Sequence, residues 1–247
     1  MLKNYRSILP VKEKAKVYVP ARHIPEYSGY WEERNEERRF DPVPMDILTK
    51  YFNKVENPED ADFAIVFIDS PFGCYGYDYN HLDDSDEAYL PISLQYSPYT
   101  ATKAREKSIA GNNRSYCGKS ATVVNSEDLQ LVKDTRSAIG NKPLVVVVNT
   151  TSPFVAAEIE PLADALLLTF DVQKQAVLDI ITGKSEPSAL LPFTMPLDME
   201  TVETQAEDTP FDMSPYRDSI GNEYKFAFGL NWNGIINDDR VNKYKTN

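Results

Sequence analysis

Two stretches of the chain are apolar at nearly every position. "ADFAIVFI" begins at Ala61, and "PLVVVVN" runs from Pro143 to Asn149 with four consecutive valines. Strands with both faces apolar belong to a parallel sheet covered by helices. A third such run, "ADALLLTF", spans Ala163 to Phe170, and "KVYVP", Lys16 to Pro20, reads as a shorter strand. Between them the period changes from continuous to helical. In Pro44 to Val55, Pro44 suits a first turn, and Ile47, Leu48, Tyr51 and Val55 fall on one face. In Asn125 to Pro143, Ser126 sits at the N-cap, acids follow in the first turn, Leu129, Val132 and Ile139 share a side, and a Gly ends the helix. "SPFVAAEIEPLA" predicts a short helix, and Val172 to Gly183 a longer one with a Gly stop. Strand and helix thus alternate at short spacing. That order predicts an α/β three-layer sandwich with a mostly parallel central sheet flanked by helices.

Three regions depart from this pattern. Tyr30 to Arg39, "YWEERNEERR", reads as a solvated surface segment. Gly73 to Ser120 is rich in Tyr, Ser, Asn, Asp and Gly without a sustained period, a long insertion of the kind that is usually functional or disordered. Near the end, Pro187 to Pro196 reads as extended chain between prolines and Asn222 to Trp232 as a strand with aromatic faces.

Composition narrows the function. The 247 residues fit a single domain with a substantial core. A formal charge of -12 opposes the phosphate contacts of nucleic-acid binding and attraction to anionic membranes. Cys74 and Cys117 lack C-x-x-C spacing and read as reduced structural thiols. No segment approaches the roughly 18 consecutive apolar residues of a membrane span, and "MLKNYRSILP" lacks the apolar region of a signal peptide. The expectation is a cytoplasmic protein. His23 and His81 have no partners at ligand spacing, so neither a metal nor another cofactor is expected. "TTSPF" is not a G-x-S-x-G elbow, and "IAGNNRSYCGKS" lacks the first Gly of a phosphate-binding loop.

The downstream half carries a recognisable order of motifs. "KPLVVVVNTTSPF", "ADALLLTF", "GKSEPSALLPFTMP" and "FAFGLNW" follow one another in the way that the C-terminal α/β-sandwich domain of glycoside hydrolase family 3 arranges its strand, Gly-terminated helix, Pro-Ser-Gly turn, Leu-Pro strand and closing Phe-Gly-Tyr-Gly-Leu-Ser-Tyr motif. The N-terminal "LKNYRSILPVKEKAKVYVP" resembles the family's link into this domain, which makes residues 1–15 a linker from an N-terminal barrel and residues 73–120 an insertion.

The resemblance implies a β-glucosidase-like hydrolase acting on a β-linked gluco-oligosaccharide or aryl glycoside. Retaining glycosidases place a nucleophile and an acid/base about 5 Å apart. In this family the nucleophilic aspartate sits on the barrel, and many members supply the acid/base glutamate from the sandwich. A barrel of typically ~250 residues finds no room before the first matched strand, so the chain would need one in cis or in trans. Where related sequences read Gly-Glu-Gly-Tyr-Asp, this one reads "Cys74-Tyr75-Gly76-Tyr77-Asp78", with Tyr75 at the glutamate position. A phenol with a pKa near 10 is a poor acid at neutral pH, which leaves Tyr75 and Tyr77 as stacking or packing residues. Asp78 keeps the family's aspartate and stands as a sugar-hydroxyl acceptor, or as a loop carboxylate bonded to its own backbone. Glu106 is the candidate for a displaced acid/base, Arg105 could orient it, and Asp69 at the strand end is a further polar contact. Tyr79, Tyr89, Tyr96 and Tyr99 complete an aromatic set suited to sugar faces or to anchoring the insertion. The alternative class is a binding or scaffolding domain that holds a glycan or a protein without turnover.

Overall fold

A computed structural model describes residues 1–28, 34–77, 89–103, 116–206, 209 and 211–244. Its centre is a six-stranded sheet made of β1 (Lys3–Asn4), β2 (Lys16–Tyr18), β3 (Asn53–Val55), β4 (Phe63–Asp69), β5 (Leu144–Asn149) and β6 (Ala165–Thr169). The spatial order is β1-β6-β5-β4-β2-β3, parallel throughout except for the edge strand β1. The continuously apolar runs fold where their pattern places them. Every residue from Phe63 to Ile68 and from Leu144 to Val148 is buried.

Helices α1 (Met45–Tyr51), α2 (Glu127–Ile139) and α3 (Lys174–Ile181) cover the sheet. Connections between parallel strands are right-handed. The crossover from β2 through α1 to β3 runs in one direction and that from β4 through α2 to β5 in the other, so their helices lie on opposite faces. Accordingly α1 packs on α3, with Tyr51 Oη donating to Asp179 at 2.6 Å, while α2 packs on β4 and β5. Adjacent strands β2 and β4 send their chains in opposite directions. The crevice above their carboxyl ends is the topological switch point, where open α/β sheets bind ligands.

Several elements are shorter than their patterns. The first helix stops at Tyr51 because Phe52 is extended (φ -131°, ψ 160°), and Val55 belongs to β3 rather than to the helical face. Ser126 makes no capping bond; the Asn125 carbonyl accepts from Asp128 N–H at 3.0 Å, and the Asn125 side chain ties the helix start to the end of β4. "SPFVAAEIEPLA" yields two short 3₁₀ turns, Ala156–Glu158 and Glu160–Leu162. Of Asn222 to Trp232 only Leu230–Asn231 is a strand; the rest is turns pinned to the preceding proline-bounded chain by Leu191 N–H to Phe228 O and Ala227 N–H to Leu191 O. The charged segment supplies Arg38–Phe40, paired antiparallel with the strand Arg22–Ile24. Residues 1–9 lie against the core: β1 pairs with β6, and Met1, Leu2 and Leu9 are buried. Lys3 reaches a buried Glu160 at 2.5 Å, which also accepts from Tyr216 Oη and Ser219 Oγ.

Candidate functional site

Register places three polar side chains in one row at the carboxyl end of the sheet. Asn149 of β5 lies opposite Asp69 of β4 and Thr169 of β6. Asn149 Nδ2 donates to Asp69 Oδ1 at 3.3 Å, and Asn149 Oδ1 accepts from Thr169 Oγ1 at 3.3 Å and from the Asp171 N–H at 2.8 Å. A bridge of polar contacts therefore spans three strands.

Arg22 enters the switch-point crevice from beyond β2. Its Nε and Nη2 donate to both oxygens of Asp128 at 2.8 and 2.7 Å, and its Nη1 reaches Asp69 Oδ2 at 2.5 Å. The fork geometry suits guanidinium and carboxylate. Burial opposes the Arg22 charge, yet hydrogen bonds and the fields of Asp128 and Asp69 outweigh it and raise its pKa. Burial pushes the Asp128 carboxyl up, while Arg22 and Asn125 pull it back. Asp69 is 31% exposed, against 7% for Arg22 and 1% for Asp128. Asp69 is thus the member of the network that faces outward. With one oxygen held by Arg22 and the other by Asn149, it is oriented as a hydrogen-bond acceptor.

On the β6 side, Phe170, Asp171 and Val172 form an exposed loop, and Lys174 follows at the first turn of α3. The Lys174 ammonium sits 5.1 Å from the Phe67 ring centroid. Burial lowers its pKa, Asp69 and Asp171 counter that effect, and Arg22 reinforces it. On the other side, Tyr96 is fully buried, with its hydroxyl donating to the Asp69 carbonyl at 2.7 Å. It anchors the insertion to the sheet and presents no face to a sugar. Glu158 accepts from the N–H groups of Tyr96 and Ser97, and Glu203 from those of Thr102 and Lys103.

The sequence candidates divide accordingly. Asp69 lies at the centre of the network. The backbones of Tyr75 and Tyr77 form a two-stranded ribbon with Tyr89–Ile92 just beyond β4. Asp78, Tyr79, His81, Arg105 and Glu106 lie outside the described residues. Arg22, Asn125, Asp128, Asn149 and Lys174 were not singled out by sequence; only the position of each near a strand end or helix start signals them. His23 does have partners: its Nδ1 and Nε2 lie 2.5 and 2.9 Å from Glu127 and Glu37. Among the described residues, no cluster of His, Cys, Asp and Glu is arranged to hold a metal. Neither Cys74 nor Cys117 forms a disulfide, and burial pushes the Cys74 thiol up to about 11. A cavity of about 740 Å³ opens among the C-terminal turns, lined by Phe211, Phe226, Phe228, Ile236 and Val241, and includes none of the network residues.

Residues 1–232 match the family model of the glycosyl hydrolase family 3 C-terminal domain. The chain belongs to this family. Among curated relatives, β-glucosidase C of Emericella nidulans is 38% identical over 85 residues, 34% of this chain and 14% of that protein. A probable β-glucosidase C of Aspergillus flavus is 37% identical over 90 residues, 36% of this chain and 13% of that protein. The β-glucosidase D2-BGL of Chaetomella raphigera superposes with a TM-score of 0.51 at 18% identity, covering 94% of this chain and 34% of that one. The family 3 C-terminal fold thus accounts for the α/β sandwich, while the aligned segments span about one seventh of the curated relatives.

Proposed function

We propose that this chain is the sandwich domain of a β-glucosidase and contributes the rim of a sugar site to a catalytic barrel in cis or in trans. The reading rests on Asp69. It is the outward-facing carboxylate of a network locked at the switch point of a family 3 sandwich, and both of its oxygens are engaged. Such a group accepts hydrogen bonds from hydroxyls; it does not carry protons between a leaving group and water. The nucleophile in this reading comes from the barrel, and Glu106 on the insertion supplies the acid/base.

Pairing this chain with the barrel of a family 3 β-glucosidase tests the proposal. Hydrolysis of p-nitrophenyl β-glucoside by the pair, and none by the chain alone, is the expected result. Turnover by the isolated chain that disappears on substitution of one of its own carboxylates would sink the division of labour. In the active pair, Glu106→Gln slows substrates with poor leaving groups far more than activated ones; equal slowing removes Glu106 from the acid/base role.

A further inference from the structure

We propose that Lys174, with Asp69 and Asp171 beside it, is a sugar-recognition site of the β6–α3 loop: the ammonium donates to hydroxyls of a β-glucoside and the carboxylates accept from them. This inference rests on the β-glucosidase reading above and adds to it a residue outside the Tyr-rich insertion.

Other buried or half-buried side-chain cations among the described residues are paired with carboxylates. Arg22 is held by two carboxylates, Lys3 by Glu160, and Arg136 by Asp164. Lys174 is half-buried, yet among the described residues its ammonium makes no hydrogen bond or ion pair; it sits over the face of Phe67. It also opens a helix, where the N-terminal end of the dipole disfavours a cation. A charge kept in that position, with three free donors, is placed to meet something from outside.

The surroundings select the ligand. Arg22 is already held by Asp69 and Asp128, and Asp69 and Asp171 both act on the Lys174 ammonium, so the loop has no surplus of positive charge to draw in an anion. A neutral polyol needs none, and it brings both acceptors for the ammonium and donors for the carboxylates. Asp171 holds a left-handed backbone (φ 52°), fixed through its N–H on Asn149. That turn leaves Phe170 and Val172 each 45% exposed beside it, and Phe170 is braced edge-on at 6.1 Å by Phe193. Apolar surface next to directed polar groups is the combination that packs a sugar's C–H face while bonding its hydroxyls.

The test uses the full chain with its lysines reductively methylated with ¹³C, which keeps the charge and one N–H donor. The Lys174 resonance is assigned by its loss in Lys174→Gln and in Lys174→Arg, the latter retaining charge if Gln perturbs folding. Titration with methyl β-D-glucoside should shift this resonance saturably and leave the other lysines in place, and sodium acetate at matched ionic strength should not. A Lys174 signal unmoved by the sugar overturns the proposal, and a shift with acetate alone replaces the polyol with a carboxylate-bearing partner. In the barrel-paired protein, Lys174→Gln should raise KM about tenfold with little change in kcat, the loss of one charge-assisted hydrogen bond. Activity of the pair with a silent Lys174 refutes this inference alone; an inactive pair with a responsive Lys174 strikes instead at the β-glucosidase reading.

Discussion

At the residue scale, the Arg22–Asp128 pair shows how a buried charge fixes local geometry. Both members are nearly inaccessible, so removing one strands the other in a low-dielectric interior. Asp128→Ala should lower the unfolding free energy by about 3–5 kcal/mol, and Arg22→Met with Asp128→Leu should recover most of that, as measured by urea denaturation. Equal losses in the single and double variants would show that the pair matters for shape rather than charge. One surface group makes stability depend on pH. His23 is raised by its hydrogen bonds to Glu127 and Glu37. Its contribution is complete below pH 6.5 and is lost as pH rises through the higher folded value. An NMR midpoint for His23 at or below 6.5 would contradict this.

At the element scale, the aromatic turn near the C-terminus gives two glycine-related predictions of opposite sign. The family motif has Gly where this chain has Ala227, and Ala227 occupies the left-handed region at φ 65°. Ala227→Gly should relieve that strain and raise Tm, a gain of up to about 1 kcal/mol after the added freedom of the unfolded chain is counted. Gly229 is required for closeness instead. A Cβ there would meet the Ala189 carbonyl oxygen at 2.5 Å, so Gly229→Ala should force the two strands of chain apart and destabilise by about 1–3 kcal/mol. The same region shows what a sequence conceals. β4, β5 and β6 were legible because both faces are apolar for four or more residues, a pattern that admits few alternatives. Most of Asn222 to Trp232 was misread as a strand because its alternating aromatics suit one, whereas Tyr224 and Phe228 there stack on each other across a turn. Asp69 was legible from its place at a strand end. Arg22 and Asp128 were not, because 106 residues separate partners that only the fold brings together.

At the scale of the whole molecule, the sheet has two chemically different ends. At the amino end, Asp62 accepts from Lys16 N–H, Asp164 from Leu144 N–H, and Lys142 donates to the Pro58 carbonyl, so the polar groups there close on their own chain. The carboxyl end presents the half-exposed Asp69, the Lys174 donors and the exposed Phe170 and Val172. A barrel that shares a sugar site with this domain must therefore approach the carboxyl end. Hydrogen exchange on the paired protein should show slowed amides in residues 70–74, 150–152 and 170–174, with residues 141–143 and 58–62 exchanging as in the free chain. Exchange at the carboxyl end reports the partner more faithfully than overall stability, because its loops lie outside the core that governs global unfolding. Protection confined to the amino end would place the partner on the wrong side of the sheet and remove Asp69 and Lys174 from any shared site.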